Sequence, residues 1–140
     1  QRAGLAPIQV AVNLAARLES LSKLYGVDLI IGEETAARLD DPNLVELDFV
    51  AVKGKTHAVR IFTLPEHPVD RVRFPDRHRA LLAAYRGSDW DGALRLLDED
   101  ALAAEPDMAP VYDLFRRRIA RLQSAPTPAD WNGVFVAEEK

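Results

Sequence analysis

The 140-residue chain contains no cysteine. Disulfides and thiolate metal centres are therefore excluded, and a reducing compartment is permitted. No apolar run approaches the ~20 residues that a membrane-spanning helix needs. The N-terminus also lacks the charged and then apolar segments of a secretory signal. There is no excess of positive charge: 18 Lys and Arg against 22 Asp and Glu leave a formal net charge of −4. No dominant field is available to draw a polyanion, which argues against general binding to nucleic acid or to a membrane surface. Arg71, Arg73, Arg77, His78 and Arg79 cluster locally, but Asp70 and Asp76 lie among them, and a solvated linker is expected there.

Conventional catalytic groups are equally scarce. His57, His67 and His78 fall in a turn, a linker and a helix start, without metal-ligand spacing. "KGK" is too short for a phosphate-cradling Gly-rich loop, and no Ser-His-Asp arrangement presents itself. The chain begins with Gln1 rather than Met, so a piece of a longer protein is expected.

What is present is enough apolar sequence, 48%, for one domain or a part-domain with an appendage. From Val12 to Tyr25 the apolar positions Val12, Ala15, Ala16, Leu18, Leu21 and Leu24 follow helical spacing. Gly26 sits where a left-handed residue closes a helix. "VDLIIG" (27–32) has the β-branched enrichment of a buried strand. "EETAARL" reads as a short helix with an acidic first turn, matched to the helix dipole. "LVELDFVAVKG" (44–54) alternates in two phases, Val45–Leu47–Phe49 or Val50–Val52, and predicts a strand irregular near Asp48. "AVRIFTL" (58–64) pairs with it across "KGKT". The order helix, strand, helix, strand, strand predicts an α/β unit with helices on a sheet.

Pro65, Pro68 and Pro75 then break the pattern, and the sheet is expected to end by about Leu64. Beyond them "HRALLAAYRGSDWDGALRLLDEDALAAEPD" predicts a helical hairpin, with Ser88 or Asp89 capping the helix at Trp90–Leu97. "MAPVYDLFRRRIARLQSA" predicts a third helix with Val111, Leu114, Phe115, Ile119 and Leu122 on one face and arginines opposite. "PTPADWNGVFVAEEK" reads as a loosely ordered tail whose Trp131, Val134 and Phe135 are able to dock on a neighbour.

The residues with chemistry to offer are cationic and polar. Asn13 and Arg17 are four apart, hence on one face of the first helix and able to act on one ligand. Arg17 offers a planar donor fork for phosphate oxygens, Lys53 a point charge at a strand end, and Asn13 a donor and acceptor for a sugar oxygen. The plain alternative makes Arg17 a surface ion-pair partner, Asn13 a helix cap and Lys53 a hairpin lysine.

"VNLAARLE", "YGVDLIIGEET", "ELDFVAVKGK" and "VRIF" occur in an order and at separations that resemble the second half of a class III adenylate/guanylate cyclase catalytic domain, over about residues 4 to 64. The resemblance implies that Asn13 and Arg17 contact the ribose region and phosphates of the substrate. It implies that Lys53 binds the terminal phosphates. It also implies that two metal-binding aspartates and a base-reading lysine lie upstream, outside this chain, so that Mg²⁺ or Mn²⁺ would be held elsewhere. The active site would form against a second catalytic domain, with a homodimer expected. Where the family has a base-reading Thr or Asp and a Gly-Asp pair, this chain has Ala6, Gln9 and Val10. The later helices, around "LLAAYRGSDWDGALRLL", resemble the tetratricopeptide-like extension of bacterial cyclases, with Tyr85, Gly87, Trp90 and Ala93 as its packing residues. "PADWNGVF" resembles the tail that follows.

The expected organisation is thus a ferredoxin-like (α+β) cyclase part at 1–65, a linker at 66–75, a small all-α extension at 76–125 and a tail at 126–140. The expected function is part of an enzyme converting ATP to cyclic AMP and pyrophosphate, cytoplasmic, with any membrane anchor upstream. The alternatives are a degenerate cyclase domain acting as a regulatory or dimerisation partner, and a helical protein-interaction module.

Overall fold

The computed structural model describes residues 19–52 and 58–137. A first helix, α1, occupies 19–25 and buries Leu21 and Tyr25. It stops at Gly26, whose φ of +72° is left-handed and whose N–H returns to the Ser22 carbonyl at 2.9 Å. A side chain there would strike Pro110, with the Cβ 2.6 Å from the Pro110 Cβ. Glycine is therefore required both by backbone conformation and by contact.

Strand β1 is only Ile31–Gly32, shorter than the 27–32 expected, and leads directly into α2 (Glu33–Arg38). Strands β2 (Val45–Val52) and β3 (Ala58–Thr63) run antiparallel, and β1 pairs antiparallel with the far edge of β3. The expected irregularity is a register shift between Glu46 and Asp48. It explains why β2 shows two apolar phases. Val45 and Leu47 are buried before the shift and Val50 after it, because an extra residue switches which alternate positions face the core.

After Pro65 and Pro68 come α3 (Phe74–Arg86), with Pro75 in its first turn, α4 (Trp90–Leu97), α5 (Asp100–Ala103), a single 3₁₀ turn (Pro106–Met108) and α6 (Ala109–Gln123). Asp89 caps α4, its carboxylate accepting from the Gly92 N–H at 3.0 Å, and Ser88 takes the left-handed turn conformation with φ 58°. These helices pack on the sheet. One continuous cluster contains Tyr25, Leu47 and Ile61 from the α/β part with Leu81, Leu97, Phe115 and Ile119 from the helices. At ~1.5–3 kcal/mol per fully buried apolar side chain, this shared core is the main stabilising term.

Two expectations about the later chain are corrected. Residues 134–137 form a fourth strand, β4 (Val134–Ala137), parallel to β2, with Phe49 opposite Val134. The sheet among the described residues therefore has the order β1-β3-β2-β4 and does not end near Leu64. Arginines do not all lie opposite the apolar face of α6, since Arg118 is among its buried residues. The molecule is a mixed α/β protein with a mixed parallel and antiparallel sheet.

Candidate functional site

Asn13, Arg17 and Lys53 lie outside the described residues, as does His57. What is described is the framework on their flanks. The helical residues 19–25 begin two positions after Arg17, and Val52, the last residue of β2, immediately precedes Lys53. Each of the two predicted groups of ligand-binding residues thus adjoins an element anchored in the core.

Those two elements meet at a buried polar cluster. The Asp48 carboxylate accepts a hydrogen bond from the Tyr25 hydroxyl. Its Oδ2 also accepts from Nη1 of Arg118 at 2.6 Å, while Oδ1 takes the Phe49 N–H at 2.8 Å. Nη2 of Arg118 donates to the Tyr25 hydroxyl at 3.2 Å. Tyr25, Asp48 and Arg118 are 0%, 1% and 4% exposed, so the ion pair is desolvated and short. Burial, reinforced by the neighbouring carboxylate, pushes the Tyr25 hydroxyl above its ordinary pKa. Burial opposes the Arg118 charge, but Asp48 and Tyr25 outweigh it and the guanidinium stays protonated. Removing one partner of such a pair strands a buried charge, at ~3–5 kcal/mol.

The register shift is what makes Asp48 available, because it turns that residue toward α6. The guanidinium is then lidded by β4, with the Phe135 ring 4.2 Å from its carbon and Tyr25 and Phe115 rings at 5.4 and 5.6 Å. Sequence reasoning missed this cluster. Two signals for it existed: Asp48 interrupts an apolar strand, and Arg118 falls in helical phase with Val111, Phe115 and Leu122.

A second buried polar node closes the exposed edge of β2 before β4 begins. His78 was expected in a solvated linker's charge cluster, yet it is 5% exposed. Its Nε2 lies 2.6 Å from the Glu46 carbonyl and its Nδ1 2.8 Å from the Tyr112 hydroxyl. A carbonyl only accepts, so Nε2 carries the proton and Nδ1 accepts from Tyr112. Burial lowers the His78 pKa to about 4, which fixes the neutral imidazole. Arg86 adds an ion pair to Glu46 at 2.7 Å and lies over the Phe49 ring. The other cluster residues are solvent-facing: Arg73 pairs with Asp70, Arg77 with Glu99 and Arg79 with Asp76.

Two clefts open on the described surface. One of about 370 Å³ lies between α6 and β4, lined by Tyr85, Arg118, Arg121, Leu122, Trp131 and Phe135 among others. Trp131 anchors its rim, donating Nε1–H to the Tyr85 carbonyl at 3.1 Å and stacking edge-on with Tyr85 and Trp90. The other, about 160 Å³, is acidic, with Asp28, Glu66 and Asp107 in its lining. His67 sits beside it on the Asp107 carboxylate at 3.2 Å, and its backbone N–H helps hold the Asp107 pKa below the usual range. Among the described residues no group of three His, Cys, Asp or Glu is placed to hold a metal ion. They do not fit the Mg²⁺ or Mn²⁺ that the cyclase resemblance implies. No described helix is long and apolar enough to cross a membrane.

Fold and site together define a mixed α/β protein in which strand β2 is tied to α6 by the buried Asp48–Arg118 ion pair, with Tyr25 of α1 hydrogen-bonded to both partners. Compared with protein-family models, with curated proteins and with solved structures, the chain has no match.

Proposed function

We propose that this chain is the phosphate-binding half of a class III nucleotide cyclase, of ferredoxin-like α+β fold. The parent protein would convert ATP to cyclic AMP and pyrophosphate. What supports this reading is the sequence order: Asn13 and Arg17 precede α1 and Lys53 follows β2, and the described parts of α1, β2 and β3 share one core.

In the reaction the ribose 3′-oxygen forms a bond to the α-phosphorus, the bond to the leaving phosphate oxygen breaks, and pyrophosphate and a proton depart. Negative charge grows on the phosphoryl oxygens. Arg17 meets that charge with a planar pair of donors, Lys53 holds the terminal phosphates, and Asn13 orients the ribose. Such donors act in the transition state more than in the ground state. A divalent cation, when bound, would neutralise phosphate charge through ligands contributed from outside these residues. The second half of the site comes from another catalytic domain, a second copy of the parent chain.

Replacing Arg17 with Ala in the parent protein lowers cyclic AMP turnover by ~10²-fold, equivalent to ~3 kcal/mol of lost transition-state stabilisation. Unchanged turnover measured at saturating ATP removes Arg17 from this role. The 140 residues alone form no cyclic AMP above a boiled control. Ala6, Gln9 and Val10, which replace the family's base-reading and Gly-Asp positions, favour a second reading, a catalytically silent partner domain. A parent protein that dimerises but yields no cyclic nucleotide supports that reading instead.

A further inference from the structure

The cleft between α6 and β4 takes no part in the nucleotide chemistry. On its helix side Arg118, Arg121 and Leu122 stand at positions i, i+3 and i+4, so they share one face of α6. Val134, Phe135 and Val136 form the strand side, and Tyr85 and Trp131 complete the wall. Among the described residues this lining holds two cations and no carboxylate. Its volume, about 370 Å³, falls within the ~300–1,000 Å³ of small-molecule sites.

The two cations differ in what they have left to offer. Arg118 is buried, with Nη1 committed to Asp48 at 2.6 Å and Nη2 to Tyr25 at 3.2 Å, so its charge is already matched. Arg121 is exposed, and among the described residues it has no ion-pair partner. Both guanidinium groups lie close enough to the Tyr85 hydroxyl to lower its pKa, against burial and Asp48, which raise it. Around Arg121 the walls are apolar and incompletely covered: Leu122, Trp131 and Phe135 are half-buried and Val136 is exposed. A hydrophilic anion would satisfy only the charge, and a hydrocarbon only the walls. One planar donor fork matches one carboxylate through two parallel hydrogen bonds. A doubly charged phosphate would leave its second charge against the apolar wall. The edges of Trp131 and Tyr85 favour a flat ring over an alkyl chain.

We propose that this cleft binds a small aryl carboxylate, with the carboxylate on Arg121 and the ring against Leu122, Trp131 and Phe135. The site consists of described residues and does not depend on the nucleotide function. A ligand seated there bridges α6 and β4, so it also holds the C-terminal strand in place.

The experiment titrates the full chain with 4-phenylbutyrate, its neutral amide and inorganic phosphate. Binding is followed by amide and indole shifts in two-dimensional NMR. Phenylbutyrate binds saturably at about 1 mM or below, with shifts at Arg121, Leu122, Trp131 and 134–136 and none in α2. The amide and phosphate each bind about tenfold more weakly, as one lacks the charge and the other the ring. Arg121→Gln weakens phenylbutyrate about tenfold and leaves the amide unchanged, while Arg121→Lys, which keeps the charge without the fork, falls between. Because Arg121 is exposed, neither substitution disturbs the core. Binding to the native fold raises the thermal unfolding midpoint of the wild type and raises it less in Arg121→Gln. Three results overturn the proposal: no saturable shifts at these residues, equal affinity for acid and amide, or an Arg121→Gln chain that binds phenylbutyrate as the wild type does. Phosphate binding as tightly as phenylbutyrate overturns it too, marking a plain anion site.

Discussion

His78 shows how one side chain carries two duties at a sheet edge. The carbonyl of Glu46 faces outward where β4 has not yet begun, and the imidazole supplies the hydrogen that a strand would otherwise provide. Burial lowers its pKa from 6.5 to about 4, with Arg86 adding a little repulsion and Glu46 opposing. Because the folded pKa lies below the unfolded one, the native contribution is complete above 6.5. It is lost as pH falls from there toward 4, where the unfolded chain takes a proton that the native fold does not. The loss reaches roughly 3 kcal/mol at its limit. Urea midpoints at about pH 7.5 and about pH 4.5 measure it. His78→Gln, which keeps a donor and an acceptor without titrating, flattens the difference; an equally steep profile in that variant assigns the pH dependence to another group.

Among the elements, those stabilised locally were legible and those completed from a distance were not. The cap at Asp89, the left-handed Gly26 and the short acidic-led α2 each depend on residues within a turn of one another, and the sequence pattern finds them. The kink near Asp48 was visible as two competing alternations. Strand β4 was not: four residues after a proline-rich stretch carry too little pattern, and their partner lies on the far side of five helical segments. Arg118 was misplaced because three neighbouring arginines, Arg116 to Arg118, look like one solvated face, and only spacing separates the third. Asn13, Arg17 and Lys53 were singled out by chemistry and resemblance rather than by any packing signal, and they lie outside the described residues.

The anchorage of β4 makes its own prediction. Trp131 joins the ring cluster of Tyr85 and Trp90 and donates to the Tyr85 carbonyl. Gly133 follows with φ +85° and leaves no room for a side chain beside Arg86. Trp131→Ala costs ~3–5 kcal/mol, lessened by its partial exposure, and Arg118 loses its cover as β4 loosens. Chemical denaturation with Phe135 to Ala137 followed by hydrogen exchange checks both parts; exchange unchanged at those residues separates Trp131 from the docking of β4.

At the scale of the molecule, the sheet and the helices share one hydrophobic cluster and the Asp48–Arg118 pair. A single cooperative transition is therefore expected, in place of separate melting of an α/β part and a helical part. Near-ultraviolet dichroism, which reports Trp90 and Trp131, and far-ultraviolet dichroism give the same midpoint; two resolved midpoints identify independent domains. The segment 72–125 made alone lacks Leu47, Ile61 and Asp48 and remains largely unfolded.

The parallel pairing of Phe49 with Val134 also sets an order of events during synthesis. At ~5–20 residues per second, β2 emerges from the ribosome several seconds before its neighbour exists, with one edge bare. For that interval the nascent chain presents an open template to any passing strand. A chaperone that shields extended segments, or a slow stretch of translation placed after β3, would change the yield of folded protein without changing one residue of the finished fold.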